Sequence, residues 1–197
     1  MMALLAAVLA YLIGAIPFGY LLVRLKTGED VRSKGSGNIG ATNVLRTTGR
    51  AAAVATLVLD IGKGMLAVWL AGKLTDGSPA AMSLAALAVM AGHAYPVFLK
   101  FHGGKAVASF IGAFLILAPV PLLAALLLFV IVVAATRYIS LGSIVAAGSL
   151  PLAVYLIEHP PPAVVIASLI AAVFIVYRHS ANIQRLRAGS EHVFRFQ

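Results

Sequence analysis

Long apolar runs alternate with short polar segments along this chain. Met1 to Val23 carries no charge, Ala51 to Gly72 is apolar except for Asp60 and Lys63, and Ala80 to Phe101 is apolar up to His93 and Pro96. A bilayer core is crossed by roughly 20 apolar residues in a helix, so each run predicts a span. Ala106 to Ala135 is too long for one crossing. Pro119 and Pro121 cut it into two arms joined by a tight turn, because proline cannot continue a helix interior. Ile139 to Ile157 and Ala163 to Tyr177 complete seven predicted spans, the fourth, fifth and seventh of them short. The prolines in His159 to Pro162 mark the turn before the last span. The long runs lack the alternation of a transmembrane barrel. No internal repeat or separate soluble segment interrupts them. The expected fold is therefore all-α: a polytopic membrane protein with seven transmembrane helices, forming a single integral membrane domain over residues 1–197.

Composition sharpens this. The chain has 197 residues, of which 61% are hydrophobic and 11% charged, with mean hydropathy +1.01. Soluble domains carry about 25% charged residues, and a small soluble core leaves too much surface wet to hide this apolar fraction. Disorder and a disulfide scaffold are excluded as well. Cysteine is absent, so there is no thiolate nucleophile and no thiolate metal ligand.

The charge balance is +9, with 15 Lys and Arg against 6 Asp and Glu. Thirteen of the basic residues fall in the first, third and fifth loops and the tail, the last of them Arg195, while only Lys73 lies in the opposite loops. The positive-inside rule then puts the N-terminus outside and the C-terminus in the cytoplasm. No basic residue precedes the first apolar run, which favours a retained helix over a cleaved signal. In a membrane protein such a surplus points to anionic lipid or an anionic substrate, and nucleic acid is not expected.

Polar residues gather in three segments on the predicted cytoplasmic side. Lys34 to Arg46 holds Gly35, Gly37 and Gly40, whose backbone can turn sharply and approach a ligand. Ser36, Asn38, Thr42 and Asn43 add neutral polar groups, and Arg46 adds a planar fork suited to phosphate. The plainer reading is a flexible loop with a helix cap. Gly92 to Lys105 ends in Gly103-Gly104-Lys105 before an apolar helix, which places N–H groups and a positive charge where anions are favoured. Its plainer reading is a juxtamembrane loop with snorkelling lysines. Tyr177 to Glu191, if helical, puts His179, Asn182 and Arg185 near one face, and its plainer reading is a basic amphipathic tail on anionic lipid. Ser140 and Ser143 read as helix caps. Asp60 and Lys63, at i and i+3 within a span, can pair with each other, which favours a structural role. His93 and His102 lack the spacing of a helical ligand pair, and nothing in the pattern calls for a metal or cofactor.

Taken together, these segments resemble the three motifs of the bacterial acyl-phosphate:glycerol-3-phosphate acyltransferases, the PlsY-type family. The run Gly35 to Asn43 with Arg46 is similar to the first motif, and Gly103-Gly104-Lys105 with Val107 and Ala108 to the second. His179, Asn182-Ile183, Arg185-Leu186, Gly189 and Glu191 are similar to the third. Asp60 and Lys63-Gly64 also look like the family's second helix. One departure stands out: the second motif usually reads Gly-Gly-Lys-Gly-Val-Ala-Thr, whereas here Ala106 takes the place of the third glycine and Ser109 that of the threonine.

The resemblance implies a reaction at the cytoplasmic face of the bacterial inner membrane. Acyl phosphate and sn-glycerol 3-phosphate give 1-acyl-glycerol 3-phosphate and inorganic phosphate, with no cofactor. The expected catalytic residues are Ser36, Arg46, Lys105, His179 and Asn182. Gly37, Asn38, Gly40, Thr42, Asn43, Gly103, Gly104, Ser143 and Arg185 are expected to bind substrate, and Asp60, Lys63 and Glu191 to be structural. In this scheme Arg46, Lys105 and Ser143 hold the phosphate of glycerol 3-phosphate. The Ser36 to Gly40 loop, with Gly103 and Gly104, cradles the acyl-phosphate head, and the acyl chain lies among membrane lipids. An anion transporter is the rival reading, but it predicts a polar path through the bilayer, and the outward half of this chain is nearly bare of polar groups.

Overall fold

The computed structural model describes residues 1–194 and is all-α; Arg195 lies outside the described residues. Five helical segments are long and apolar enough to cross a membrane: Met2–Thr27, Arg50–Leu74, Pro79–Leu99, Pro119–Thr136 and Ile139–Ile157. A sixth is the pair Pro162–Arg178 and Ser180–Arg187, bent by 57° where they meet. The run after Lys105 forms a shorter apolar helix, Val107–Leu117.

The chain divides into two compact units, Met1–Leu117 and the part from Ala118 onward. The first unit opens with α1 (Met2–Ala15) and α2 (Phe18–Thr27), which the sequence pattern predicts as one uninterrupted run. Pro17 separates them, since it has no N–H to continue the ladder. The Ile16 carbonyl freed at the break accepts Phe18 N–H at 3.2 Å and Lys63 Nζ at 2.9 Å. Then follow α3 (Ala41–Thr47), α4 (Arg50–Leu74), α5 (Pro79–Ala94) and α6 (Val107–Leu117).

Helix α1 packs on α5, and α4 packs on α1, α5 and α6. These crossings are close because glycine sits at them. A Cβ on Gly14 would strike the Val89 carbonyl, one on Gly92 the Tyr11 carbonyl, one on Gly64 the Ser109 carbonyl and one on Gly112 the Ile61 carbonyl. Small residues serve this purpose in membrane helices, where packing rather than water exclusion drives association. Below the first polar loop a knot of Val23, Val31, Ile39, Val44 and Leu99 is buried.

The second unit holds α7 (Pro119–Thr136), α8 (Ile139–Ile157), α9 (Pro162–Arg178) and α10 (Ser180–Arg187). Helix α8 packs on α7 and α9. Leu123, Leu127, Val130, Leu152, Ile166 and Val173 are exposed, as residues facing acyl chains are.

Candidate active site

The first polar segment is a tied loop rather than a flexible one. Asp30 caps a short 3-10 turn over Val31–Ser33 by accepting Arg32 N–H at 2.9 Å, and it also holds the Arg32 guanidinium at 2.7 Å. That hydrogen-bonded guanidinium keeps the Asp30 carboxyl below its usual range. The Arg32 guanidinium also lies 5.3 Å from the Tyr20 ring centre. Gly35 and Gly37 adopt φ of +60° and +70°, so their glycine identity is a backbone requirement.

Asn43 is only 2% exposed and reaches back from α3 into the loop. Its Oδ1 accepts Ser36 N–H at 2.8 Å, and its Nδ2 donates to Asn38 O at 2.8 Å, Lys34 O at 3.1 Å and Val31 O at 3.2 Å. Asn43 was expected to contact substrate, yet its polar atoms face the loop itself. The Asn38 side chain accepts Gly40 N–H at 2.8 Å, and Gly40 opens α3. The loop therefore presents the exposed Ser36 and Gly37 on a braced frame, with Thr42 half-buried and Arg46 exposed in the last turn of α3.

The second segment differs from expectation in one respect. The N–H of Gly103 donates to Ala94 O at 3.2 Å and that of Gly104 to His93 O at 3.0 Å. The anion nest expected from these two N–H groups is thus a turn laid against the end of α5. Lys105 follows it, half-buried. Next comes Ala106, fully buried and at φ +62°, a left-handed conformation that costs an L-residue about 1–2 kcal/mol. The resemblance leads to an expectation of glycine here, and this chain holds an alanine in a backbone conformation that favours glycine.

In the second unit the third segment is organised by a carboxylate. Glu191 Oε1 accepts Asn182 Nδ2 at 2.7 Å and Ser140 Oγ at 3.1 Å, while Oε2 accepts Arg185 Nε at 2.7 Å. Burial pushes the Glu191 carboxyl up, but hydrogen bonds from Asn182, Arg185 and Ser140 outweigh it and hold the group below its ordinary value. Ser140 and Ser143 are not caps: the first serves Glu191, and the second donates to Ile139 O at 2.9 Å. His179 is buried at the bend from α9 into α10. Its Nδ1 lies 2.8 Å from Ile175 O, which selects the Nδ1–H tautomer and makes Nε2 the basic nitrogen.

The intramembrane pair is present, with Lys63 Nζ 2.7 Å from Asp60 Oδ1. His93 Nδ1 stands 3.6 Å from the same oxygen. Sequence reasoning weighed His93 only as a metal ligand, and no metal-holding group of three or more His, Cys, Asp or Glu occurs among the described residues. It gave Asp30 no role and Ser140 no link to Glu191. The available signal was the Asp30-to-Arg32 spacing.

Broken apolar helices with braced polar loops at their ends define an integral membrane protein with groups suited to anionic substrates. A model described as glycerol-3-phosphate acyltransferase matches residues 4–189, and the chain belongs to that family. Glycerol-3-phosphate acyltransferases from Trichlorobacter lovleyi and Syntrophotalea carbinolica are 50% and 48% identical to it, each over 94% of both chains. The crystal structure of PlsY (YgiH), an integral membrane glycerol 3-phosphate acyltransferase, in its glycerol 3-phosphate form, has a TM-score of 0.93 at 37% identity, covering 99% of this chain and 96% of that one. The lysophosphatidic acid form gives 0.90 at 36% identity with the same coverage. The family resemblance read from the three segments is borne out.

Proposed function

We propose that this glycerol-3-phosphate acyltransferase takes its acyl group from acyl phosphate. The sn-glycerol 3-phosphate hydroxyl attacks the acyl carbon, the carbon–oxygen bond to phosphate breaks, and 1-acyl-glycerol 3-phosphate and inorganic phosphate leave. Such a donor is already activated, so positioning and charge stabilisation are the main demands on the protein.

The observation that carries this reading is the braced first loop, which Asn43 and Asn38 hold in a set geometry around Ser36. In the first unit, Arg46 and Lys105 bind phosphate, the Ser36 to Gly40 loop with Thr42 meets the acyl-phosphate head, and Gly103 and Gly104 shape the turn that carries Lys105. In the second unit, Asn182 and Arg185 are aligned by Glu191, Ser143 offers its hydroxyl oxygen, and His179 presents an oriented imidazole. The hydroxyl proton goes to His179 or to a phosphate oxygen of the substrate. The pH–rate profile of His179→Gln separates these routes.

Val107–Leu117 serves as a seventh, short span, with the N-terminus outside and the C-terminus cytoplasmic. The site then faces the cytoplasm of a bacterial inner membrane, where membrane lipids surround the acyl chain. The test is phosphate release by the purified protein from palmitoyl phosphate. Release that depends on glycerol 3-phosphate, with lysophosphatidate formed in equal amount, is expected. Transfer from an acyl thioester but not from palmitoyl phosphate would overturn the donor assignment, and full activity in folded Arg46→Ala would overturn the role of Arg46.

A further inference from the structure

Two buried polar side chains, Asp60 and His93, have no part in the chemistry above. Asp60 is 2% exposed and His93 3% exposed. A carboxylate is tolerated at such a place only when cations and donors surround it, and Lys63 and His93 converge on its Oδ1. Lys63 also donates to Ile16 O at the break in the first span. His93 Nδ1 on α5 thus approaches the α4 carboxylate at 3.6 Å, an electrostatic approach longer than a hydrogen bond.

The imidazole has a second neighbour. With Nδ1 turned toward Asp60, its opposite edge lies against Gly104. A Cβ built on Gly104 would overlap His93 Nε2 and come within 2.7 Å of Cδ2. Gly104 is not among the residues with positive φ, so alanine would fit its backbone. What excludes a side chain there is the imidazole. The same histidine's carbonyl accepts Gly104 N–H, and the next carbonyl accepts Gly103 N–H. His93 therefore meets the glycine turn through both its ring and its main chain, one residue before Lys105.

We propose that Asp60 and His93 form a positioning device for Lys105. Asp60 sets the rotation of the imidazole, the imidazole is the floor on which Gly104 rests, and the floor sets the height of the Lys105 ammonium. This rests on the assignment of Lys105 to the phosphate of glycerol 3-phosphate. Asp60 and His93 touch no substrate in this scheme and act through the turn.

The test is a double-mutant cycle on the full-length protein in detergent. Gly104→Ala, His93→Ala and the double variant are compared by binding of radiolabelled glycerol 3-phosphate and by steady-state kinetics. Monodispersity and thermal unfolding serve as folding checks. Gly104→Ala weakens glycerol 3-phosphate binding about tenfold or more, and His93→Ala weakens it severalfold. The double variant binds better than the product of the single losses predicts, by about fivefold, because the new methyl enters the space the ring vacates. His93→Asn keeps an N–H toward Asp60 but withdraws the ring from Gly104, and it behaves like His93→Ala.

In both histidine variants KM for glycerol 3-phosphate rises, while KM for palmitoyl phosphate stays within about twofold. A role in folding alone would lower the active fraction and leave KM unchanged. Asp60→Asn combined with Lys63→Met, which leaves no lone buried charge, shifts KM in the same direction. Additive losses in the cycle, or wild-type binding by His93→Ala and His93→Asn, would overturn the device. Wild-type binding by Lys105→Ala would overturn the phosphate assignment and this proposal with it. Absence of transfer from palmitoyl phosphate bears only on the donor, because the binding measurement needs none.

Discussion

Asn43→Ala removes the knot of the first polar loop. In the native loop Asn43 accepts one hydrogen bond and shares its two N–H groups among three carbonyls, the shortest contact being 2.8 Å to Asn38 O. Three net bonds at about 1 kcal/mol each give about 3 kcal/mol. Ser33 to Gly37 are exposed, so water replaces part of this when the loop opens, and the lower bound is about 2 kcal/mol. At roughly 1.4 kcal/mol per factor of ten, the opening equilibrium rises between about 30-fold and 150-fold. Hydrogen exchange at the Ser36 amide, which donates to Asn43 Oδ1, reads this directly. Helix α4, beyond the loop, serves as the unperturbed reference. The catalytic loss is bounded by the same factor. Asn43→Asp keeps the shape and the Ser36 acceptor but turns an oxygen toward three carbonyls, and it loosens the loop at least as much. Exchange at Ser36 within about threefold of wild type in Asn43→Ala would refute the reasoning, because an interaction worth more than about 1 kcal/mol cannot hide in so small a change.

Four further outcomes follow. Glu191→Gln weakens charge-assisted hydrogen bonds of about 1.5–3 kcal/mol, discounted on the Arg185 side because that side chain is 34% exposed, and it lowers the thermal midpoint in detergent. Since the folded Glu191 carboxyl titrates below its ordinary value of 4.5, its stabilisation is complete well above that value and is lost as pH falls through the folded value. Between about pH 5 and 3 the wild-type midpoint therefore drops further than that of Glu191→Gln. Asp60→Ala leaves Lys63 buried without its carboxylate and costs about 3–5 kcal/mol, while Asp60→Leu with Lys63→Met recovers most of it, as denaturation in mixed micelles will show. Gly92→Ala drives a methyl into the Tyr11 carbonyl, forces α1 from α5 and destabilises by about 1–3 kcal/mol in the same assay. Ala106→Gly relieves about 1–2 kcal/mol of left-handed strain, but gives up a buried methyl worth about 0.8 kcal/mol and about 0.4–1 kcal/mol of chain entropy. Its stability stays within about 1 kcal/mol of wild type, whereas Ala106→Val loses more than about 2 kcal/mol.

The spans were legible because hydropathy is a local property: a run of about 20 apolar residues needs no partner to be recognised. The break at Pro17 was also written locally, yet the unbroken apolarity from Met1 to Val23 masked it. Polar roles were legible only where partners are close in the chain, as with Asp60 and Lys63. Ser140 and Glu191 meet across 51 positions, and a serine at a helix start reads as a cap until that partner is seen.

Glycine was the most ambiguous letter. Gly35 and Gly37 are glycines for their positive φ, Gly92 and Gly112 for a neighbouring helix, and Gly104 for an imidazole. These are three different physical demands behind one residue type, and only the first is a property of the loop's own backbone. Ala106 sharpens the point from the other side. It keeps φ +62° with a side chain in place, so the left-handed turn at 106 is imposed by the surrounding packing and not chosen by the residue. The second motif is therefore a shape held by α5 and α6, in which glycine at 104 is a steric necessity and glycine at 106 a convenience the chain does without.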